Sequence, residues 1–63
     1  MTFEQAFKAV QSGSRISRKA WKECGFYMVQ INGRYFVMCG DAPISEVKHP
    51  EYYADIEGWY VIE

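Results

Sequence analysis

The chain has 63 residues and a net charge of −1, with seven Lys and Arg residues against eight Asp and Glu residues. This length predicts a single domain over residues 1–63 that hides only about 60% of its unfolded surface, so a partner or a second copy is expected to add stability. The acidity argues against a duplex nucleic-acid binder, and the lack of a long apolar run argues against a membrane span. One histidine and two cysteines argue against a metal site and a disulfide framework. No secretory signal is recognisable, so we expect a cytoplasmic protein with reduced thiols and no cofactor.

The N-terminal segment predicts an amphipathic helix over about residues 3–12. Thr2 and Gln5 have the spacing of a capping box, in which each side chain bonds the backbone N–H of the other. Apolar residues then recur at helical spacing, and Gly13 stands where a helix commonly ends. The predicted apolar stripe comprises Phe3, Ala6, Phe7 and Val10.

A short strand over Arg15–Arg18 and a connection over residues 19–25 lead into the sequence FYMVQINGRYFVMCG. Asn32-Gly33 predicts a two-residue hairpin turn because a type I′ turn needs positive φ at both central positions. The turn fixes a register in which both faces of the hairpin are apolar. Tyr27, Val29, Ile31, Phe36 and Met38 share one face, and Phe26, Met28, Tyr35 and Val37 share the other.

Two apolar hairpin faces are more than one helix can cover. The second face therefore requires another copy of the chain, a partner or a ligand, and self-association is the preferred interpretation. Asp41-Ala42-Pro43 is expected to end the hairpin, with residues 44–58 irregular apart from a helical turn opening at Pro50. A last strand is expected over residues 59–62. The predicted fold is α+β: one N-terminal helix on an antiparallel sheet of about four strands, as a homodimer or homotetramer.

The segment SRISRKAWKECGFY concentrates cations beside aromatic residues. Arginine forks suit phosphate oxygens, and flat aromatic rings suit a base. Two interpretations remain open: a nucleotide-sized binding site, or a solvated strand edge beside a core tryptophan. The residues proposed for the binding site are Arg15, Arg18, Lys19, Trp21, Tyr27 and Tyr35. We expect no enzymatic activity, because no Ser/His/Asp or Cys/His set and no phosphate-binding glycine loop is recognisable.

The order of motifs is similar to that of the phage and prophage Thoeris anti-defence type-two family. The corresponding elements are the opening Met1-Thr2-Phe3, Gly13, the basic motif Arg15/Arg18/Trp21, Gly25-Phe26-Tyr27, and Ala54-Asp55 with Trp59-Tyr60-Val61. The resemblance covers residues 1–31 and 52–63. The chain looks like a shortened member, with less sequence before the closing segment and Glu57-Gly58-Trp59 in place of the family's Asp-Trp.

The resemblance implies a small α+β oligomer that sequesters a cyclic ADP-ribose-type signal or a cyclic dinucleotide without catalysis. Asp55 would then accept a hydrogen bond from the base or ribose. The alternative is an inhibitor that binds a bacterial defence protein, such as a CRISPR effector. In that case the acidic C-terminal half of the chain would meet a basic partner. Residues 1–34 carry a net charge of +4, and residues 35–63 carry one of −5. The acids of that half would be Glu46, Glu51, Asp55 and Glu57.

Overall fold

A computed structural model describes residues 1–62; Glu63, the last residue of the predicted domain, lies outside the described residues. The chain forms one helix, α1 (Phe3–Gln11), and five strands. The strands are β1 (Arg15–Arg18), β2 (Phe26–Ile31), β3 (Arg34–Cys39), β4 (Ala42–Glu46) and β5 (Trp59–Ile62). Short 3₁₀ turns span Lys19–Trp21 and Pro50–Tyr53. All neighbouring strands are antiparallel, in the order β4-β3-β2-β1-β5.

The start of α1 confirms the predicted capping box. The Gln5 N–H donates to the Thr2 hydroxyl at 3.2 Å, and the Thr2 N–H donates to the Gln5 side-chain oxygen at 3.0 Å. These two bonds satisfy N–H groups that have no partner within a helix. Phe3, Ala6 and Val10 are buried, as the apolar spacing predicts. The helix therefore lies with this stripe against the sheet, where it contacts β1, β2 and β5.

The central hairpin has the predicted register, from Ile31 opposite Arg34 to Phe26 opposite Cys39. Asn32 has φ 52° and Gly33 has φ 80°, the left-handed pair that a type I′ turn requires. The predicted final strand and the turn at Pro50 are also present.

The prediction of about four strands is wrong, because residues 42–46 pair with β3 as a fifth strand. Residues 44–46 are therefore not irregular, and Pro43 lies within a strand. All five residues of β4 are exposed, so the alternation of apolar and polar residues that indicates a strand is missing. Proline is tolerated here because β4 is an edge strand, and a bulge at Val37/Met38 interrupts its register.

The core lies between α1 and one face of the sheet. Ile16 and Met28 are register partners and are fully buried, and Val37 is the partner of Met28 on β3. Trp59 is only 2% exposed and contacts the Phe3 ring at a centroid distance of 5.0 Å. The buried cluster comprises Phe3, Ala6, Val10, Ile16, Met28, Val37, Val47 and Trp59.

The opposite side of the sheet, called here the outer face, is also apolar. Successive residues of a strand point to opposite faces, so residues that alternate with the buried set lie on the outer face. Its apolar members are Tyr27, Val29, Ile31, Phe36, Met38, Tyr60 and Ile62; Met38 is itself buried, Ile31 and Tyr60 are exposed, and the others are half-buried. The predicted two-faced hairpin is therefore confirmed, and α1 covers only the inner face. No helix within residues 1–62 is long and apolar enough to cross a membrane.

Candidate functional site

Arg15 and Tyr27 form a cation–aromatic pair on the outer face. Arg15 opens β1 and is exposed, with its guanidinium carbon 5.5 Å from the centroid of the Tyr27 ring. The Tyr27 hydroxyl donates to the Gly40 carbonyl, so the ring is held at its polar end. The ring is half-buried. Tyr27 is thus a fixed platform with a positive charge above it.

Arg18 and Trp21 form a second pair at the other end of β1. The Arg18 guanidinium carbon lies 5.8 Å from the Trp21 ring centroid. Its Nε is buried and has no hydrogen-bond partner within the described residues. A buried donor without a partner costs free energy, which an acceptor supplied by a ligand would recover. Arg18 therefore combines a stacked cation with an unused donor.

Trp21 also belongs to an aromatic cluster beside the core. Its ring lies edge-on to Trp59 at 5.2 Å, to Tyr53 at 6.0 Å and to Phe26 at 6.4 Å. Trp21 is nevertheless half-buried. Both of the initial interpretations therefore describe part of its environment: one edge of the indole packs with core aromatics, and the rest remains accessible.

One cleft, called here the arginine cleft, joins the two pairs. It has a volume of about 230 Å³, and both Trp21 and Tyr27 line it. Each ring is contacted by an arginine, although neither arginine lines the cleft itself. Arg15 and Arg18 are three positions apart on β1, so they approach the two rings from opposite faces of the sheet. The full lining is Ser17, Trp21, Lys22, Gly25, Phe26, Tyr27, Tyr60 and Ile62. Ser17 is buried, and its hydroxyl donates to the Phe26 carbonyl at 2.8 Å, which fixes the floor.

Five of the seven predicted site residues do not line the arginine cleft. Arg15 and Arg18 adjoin it through the rings that they contact, and the other three lie elsewhere. Tyr35 lies on the helix side of the sheet, where its ring packs on Phe7 at 4.6 Å. Lys19 is exposed, and its backbone N–H donates to the Gly58 carbonyl at 3.2 Å. Asp55 is exposed in the connection before β5 and forms no ion pair within residues 1–62. Of the predicted site residues, Trp21 and Tyr27 therefore line the cleft, Arg15 and Arg18 each contact one of these rings, and the other three do neither.

Sequence reasoning did not assign six of the eight lining residues to the site: Ser17, Lys22, Gly25, Phe26, Tyr60 and Ile62. The pairing of β1 with β5 places Tyr60 opposite Ser17 and Ile62 opposite Arg15. No local pattern indicates which strand lies beside β1, so this part of the cleft follows from topology alone. Lys22 belongs to the same basic, aromatic-rich segment as Arg15 and Arg18, so the sequence pattern that singled out those arginines also applies to Lys22.

A second depression, the acidic groove, lies between α1 and the Pro50–Tyr53 turn. Its volume is about 400 Å³, with Phe3, Phe7, Pro50 and Ala54 as apolar lining and Glu4 and Glu51 as its charged residues. Thr2 completes the lining, so no cation faces the groove. Elsewhere in the described part of the chain, no group of three His, Cys, Asp or Glu side chains is arranged to hold a metal ion.

These features define a small α+β domain whose exposed cleft is lined by aromatic rings and flanked by arginines. The family model for the Tad2-like, or Thoeris anti-defense 2-like, domain matches residues 1–61. The chain belongs to this family, and the family gives it a role in anti-defence. The predicted resemblance is confirmed over nearly the whole chain. No curated protein and no solved structure matches it significantly.

Proposed function

We propose that the chain is an anti-defence protein that binds and withholds a nucleotide-derived immune signal without chemical conversion. The observation that carries this proposal is the arginine cleft, in which two aromatic platforms each carry an arginine. A guanidinium binds phosphate oxygens through two parallel hydrogen bonds, and an aromatic face stacks on a base of any identity. A cyclic ADP-ribose or a cyclic dinucleotide offers both groups.

In this proposal Arg18 contributes most to the binding of the anion. Its Nε is a donor already removed from water, so the cost of desolvating it is met before the ligand arrives. Arg15 is exposed and must be ordered on binding. Trp21 and Tyr27 would stack on the base or pack against the ribose. Tyr35, Lys19 and Asp55 would take part only through another copy or through a rearranged loop.

A second copy of the chain is part of the proposal. The arginine cleft, at about 230 Å³, is smaller than the roughly 300–1,000 Å³ of most ligand pockets. It opens beside Tyr60 and Ile62, two members of the uncovered outer face. Apposition of two outer faces would bury apolar surface and add a wall to the cleft at the same time. A homodimer or homotetramer would therefore both stabilise the fold and complete the site.

Arg18→Ala is expected to weaken binding of the signal by about 10- to 100-fold, the usual effect of losing a charge-assisted hydrogen bond. Calorimetric titration with cyclic ADP-ribose isomers and cyclic dinucleotides measures this, and chromatography of the recovered ligand checks that it is unchanged. Arg34→Ala is the matched control, because Arg34 is exposed at the hairpin end and forms neither of the two arginine–ring pairs beside the cleft. Equal binding by both variants would exclude Arg18 as a contact of the signal, and heat from none of the ligands would exclude sequestration.

The acidic groove favours a second candidate function, direct inhibition of a defence protein. An apolar trough flanked by Glu4 and Glu51 suits a basic, amphipathic segment of a partner. The groove lies on the helix side of the molecule, away from the outer face. This candidate therefore makes no use of Arg15 or Arg18, and the two functions are separable by mutation.

Combining Glu4→Gln with Glu51→Lys is expected to leave anti-defence activity unchanged. Both carboxylates are exposed, and Glu51 has only a solvent-exposed contact with His49 at 3.4 Å, so the fold should be preserved. The measurement is phage survival in cells that carry a Thoeris system, with the Arg15→Ala/Arg18→Ala variant tested in parallel. If the groove variant no longer protected the phage while the arginine variant still did, direct inhibition of a defence protein would be the function and signal binding would be excluded.

A further inference from the structure

The two cysteines lie together at one end of the central hairpin. Cys39 is the last residue of β3, and the Cys39 Sγ is 4.0 Å from the carbonyl oxygen of Cys24. Both thiols are free and exposed. The register partner of Cys39 is Phe26, two residues after Cys24. Two residues that are fifteen positions apart in sequence are therefore neighbours in space, and both are open to reagents.

We propose that Cys24 and Cys39 are a redox-modifiable pair that closes into an intramolecular disulfide by exchange with a small-molecule disulfide. This modification goes beyond the binding function, and it acts on the wall of the arginine cleft. Cys24 lies between Lys22 and Gly25, which both line that cleft, and Cys39 is paired with a third lining residue, Phe26.

The backbone around both cysteines permits the approach that a disulfide needs. A disulfide requires Cβ atoms about 3.5–4.5 Å apart. The Cys39 sulfur lies 4.0 Å from the carbonyl oxygen of Cys24, so the two residues are already neighbours. Gly25 follows Cys24 with φ 71°, and Gly40 follows Cys39 with φ 63°. Glycine changes conformation at little cost, so the residue after each cysteine permits the loop movement that closure requires.

The reaction balances without a metal or an enzyme. The thiolate of one cysteine attacks a sulfur of oxidised glutathione, forming a mixed disulfide and releasing one glutathione thiolate, which takes up a proton. The second cysteine, as its thiolate, attacks the protein sulfur of that mixed disulfide and releases the second glutathione. Two protein thiols are oxidised, and one small-molecule disulfide is reduced to two thiols.

Closure would tie the loop between β1 and β2 to the end of β3. The closed ring runs from Cys24 to Cys39 and contains the entire β2–β3 hairpin. Lys22, Gly25 and Phe26 would then be held to the sheet on the Cys24 side. The part of the cleft wall that lies in this loop, Lys22 and Gly25, would thereby be tethered to the end of β3.

The test is incubation of the intact protein with oxidised glutathione, followed by intact mass measurement, thiol alkylation and thermal unfolding. We expect a monomeric polypeptide that has lost two hydrogen atoms, has no alkylatable thiol, and unfolds about 10 °C or more above its reduced form. Cys24→Ser and Cys39→Ser are the matched controls, and neither should show the rise in unfolding temperature.

Three results would overturn the proposal: disulfide-linked dimers as the main product, stable glutathione adducts on both cysteines, or an intramolecular disulfide with no rise in unfolding temperature. None of these readouts requires a nucleotide ligand. The failure of this proposal is therefore distinguishable from the failure of the proposed binding function.

Discussion

Replacing Trp59 with alanine is expected to lower the free energy of unfolding by about 3–5 kcal/mol, the usual cost of removing a large buried aromatic side chain. Trp59 is 2% exposed, and its ring contacts Phe3, Trp21 and Tyr53 at centroid distances between 5.0 and 5.8 Å. Its indole N–H also donates to the Ile56 carbonyl at 2.8 Å, so the connection before β5 depends on it.

A loss of that size is comparable with the whole stability of such a chain, because a single core of this size rarely supplies more than about 3–5 kcal/mol. Urea unfolding followed by circular dichroism measures the effect, and Trp59→Phe provides a graded variant should the alanine variant not fold. Tyr52→Ala is the control, because Tyr52 is 78% exposed. Equal destabilisation by Tyr52→Ala and Trp59→Ala would contradict the placement of Trp59 in the core.

Replacing Ile31 with glutamate is expected to weaken self-association by roughly 100-fold or more, because an unpaired charge buried in an apolar interface costs several kcal/mol. Ile31 ends β2 on the outer face and is 40% exposed in the single chain, so the monomer should fold normally. The result follows from the proposal that two copies cover each other's outer faces.

Sedimentation of the wild-type and variant proteins at several concentrations measures the change. Ile44→Glu is a matched isoleucine control, since Ile44 is 51% exposed on β4 and lies in the irregular part of the β3–β4 register. A wild-type protein that sediments as a monomer at high micromolar concentration would exclude the assembly. Equal dissociation by both variants would show that the outer face is not the specific interface.

The elements predicted correctly from sequence are those that local chemistry determines. Thr2 and Gln5 define the helix start through their own hydrogen bonds, and Asn32-Gly33 sets the register of the whole hairpin through its backbone conformation. The β4 strand was missed because its stability comes from pairing with β3 and leaves no apolar alternation in its own sequence. An exposed edge strand that contains proline carries little local signal.

The candidate site was predicted in part for a related reason. The register places Tyr27 and Tyr35 on opposite faces of the sheet, and the Tyr35 ring packs on Phe7 and does not line the cleft. Trp21 and the arginines that contact the cleft rings were singled out because cations and aromatic residues are adjacent in this segment of the sequence. Tyr60 reaches the cleft only through the pairing of β5 with β1, a long-range contact that no spacing within the segment reveals.

Pro43 and the bulge beside it have a consequence for the shape of any assembly. A fibre that grows by strand addition needs both edge strands of each sheet, because each copy pairs with one neighbour at each edge. The β4 edge carries a residue that cannot donate a backbone hydrogen bond and an interrupted register, so it is a poor acceptor of another strand. Pairing through β5 alone would stop at two copies. The β4 edge therefore resists growth of the sheet into fibres by strand addition.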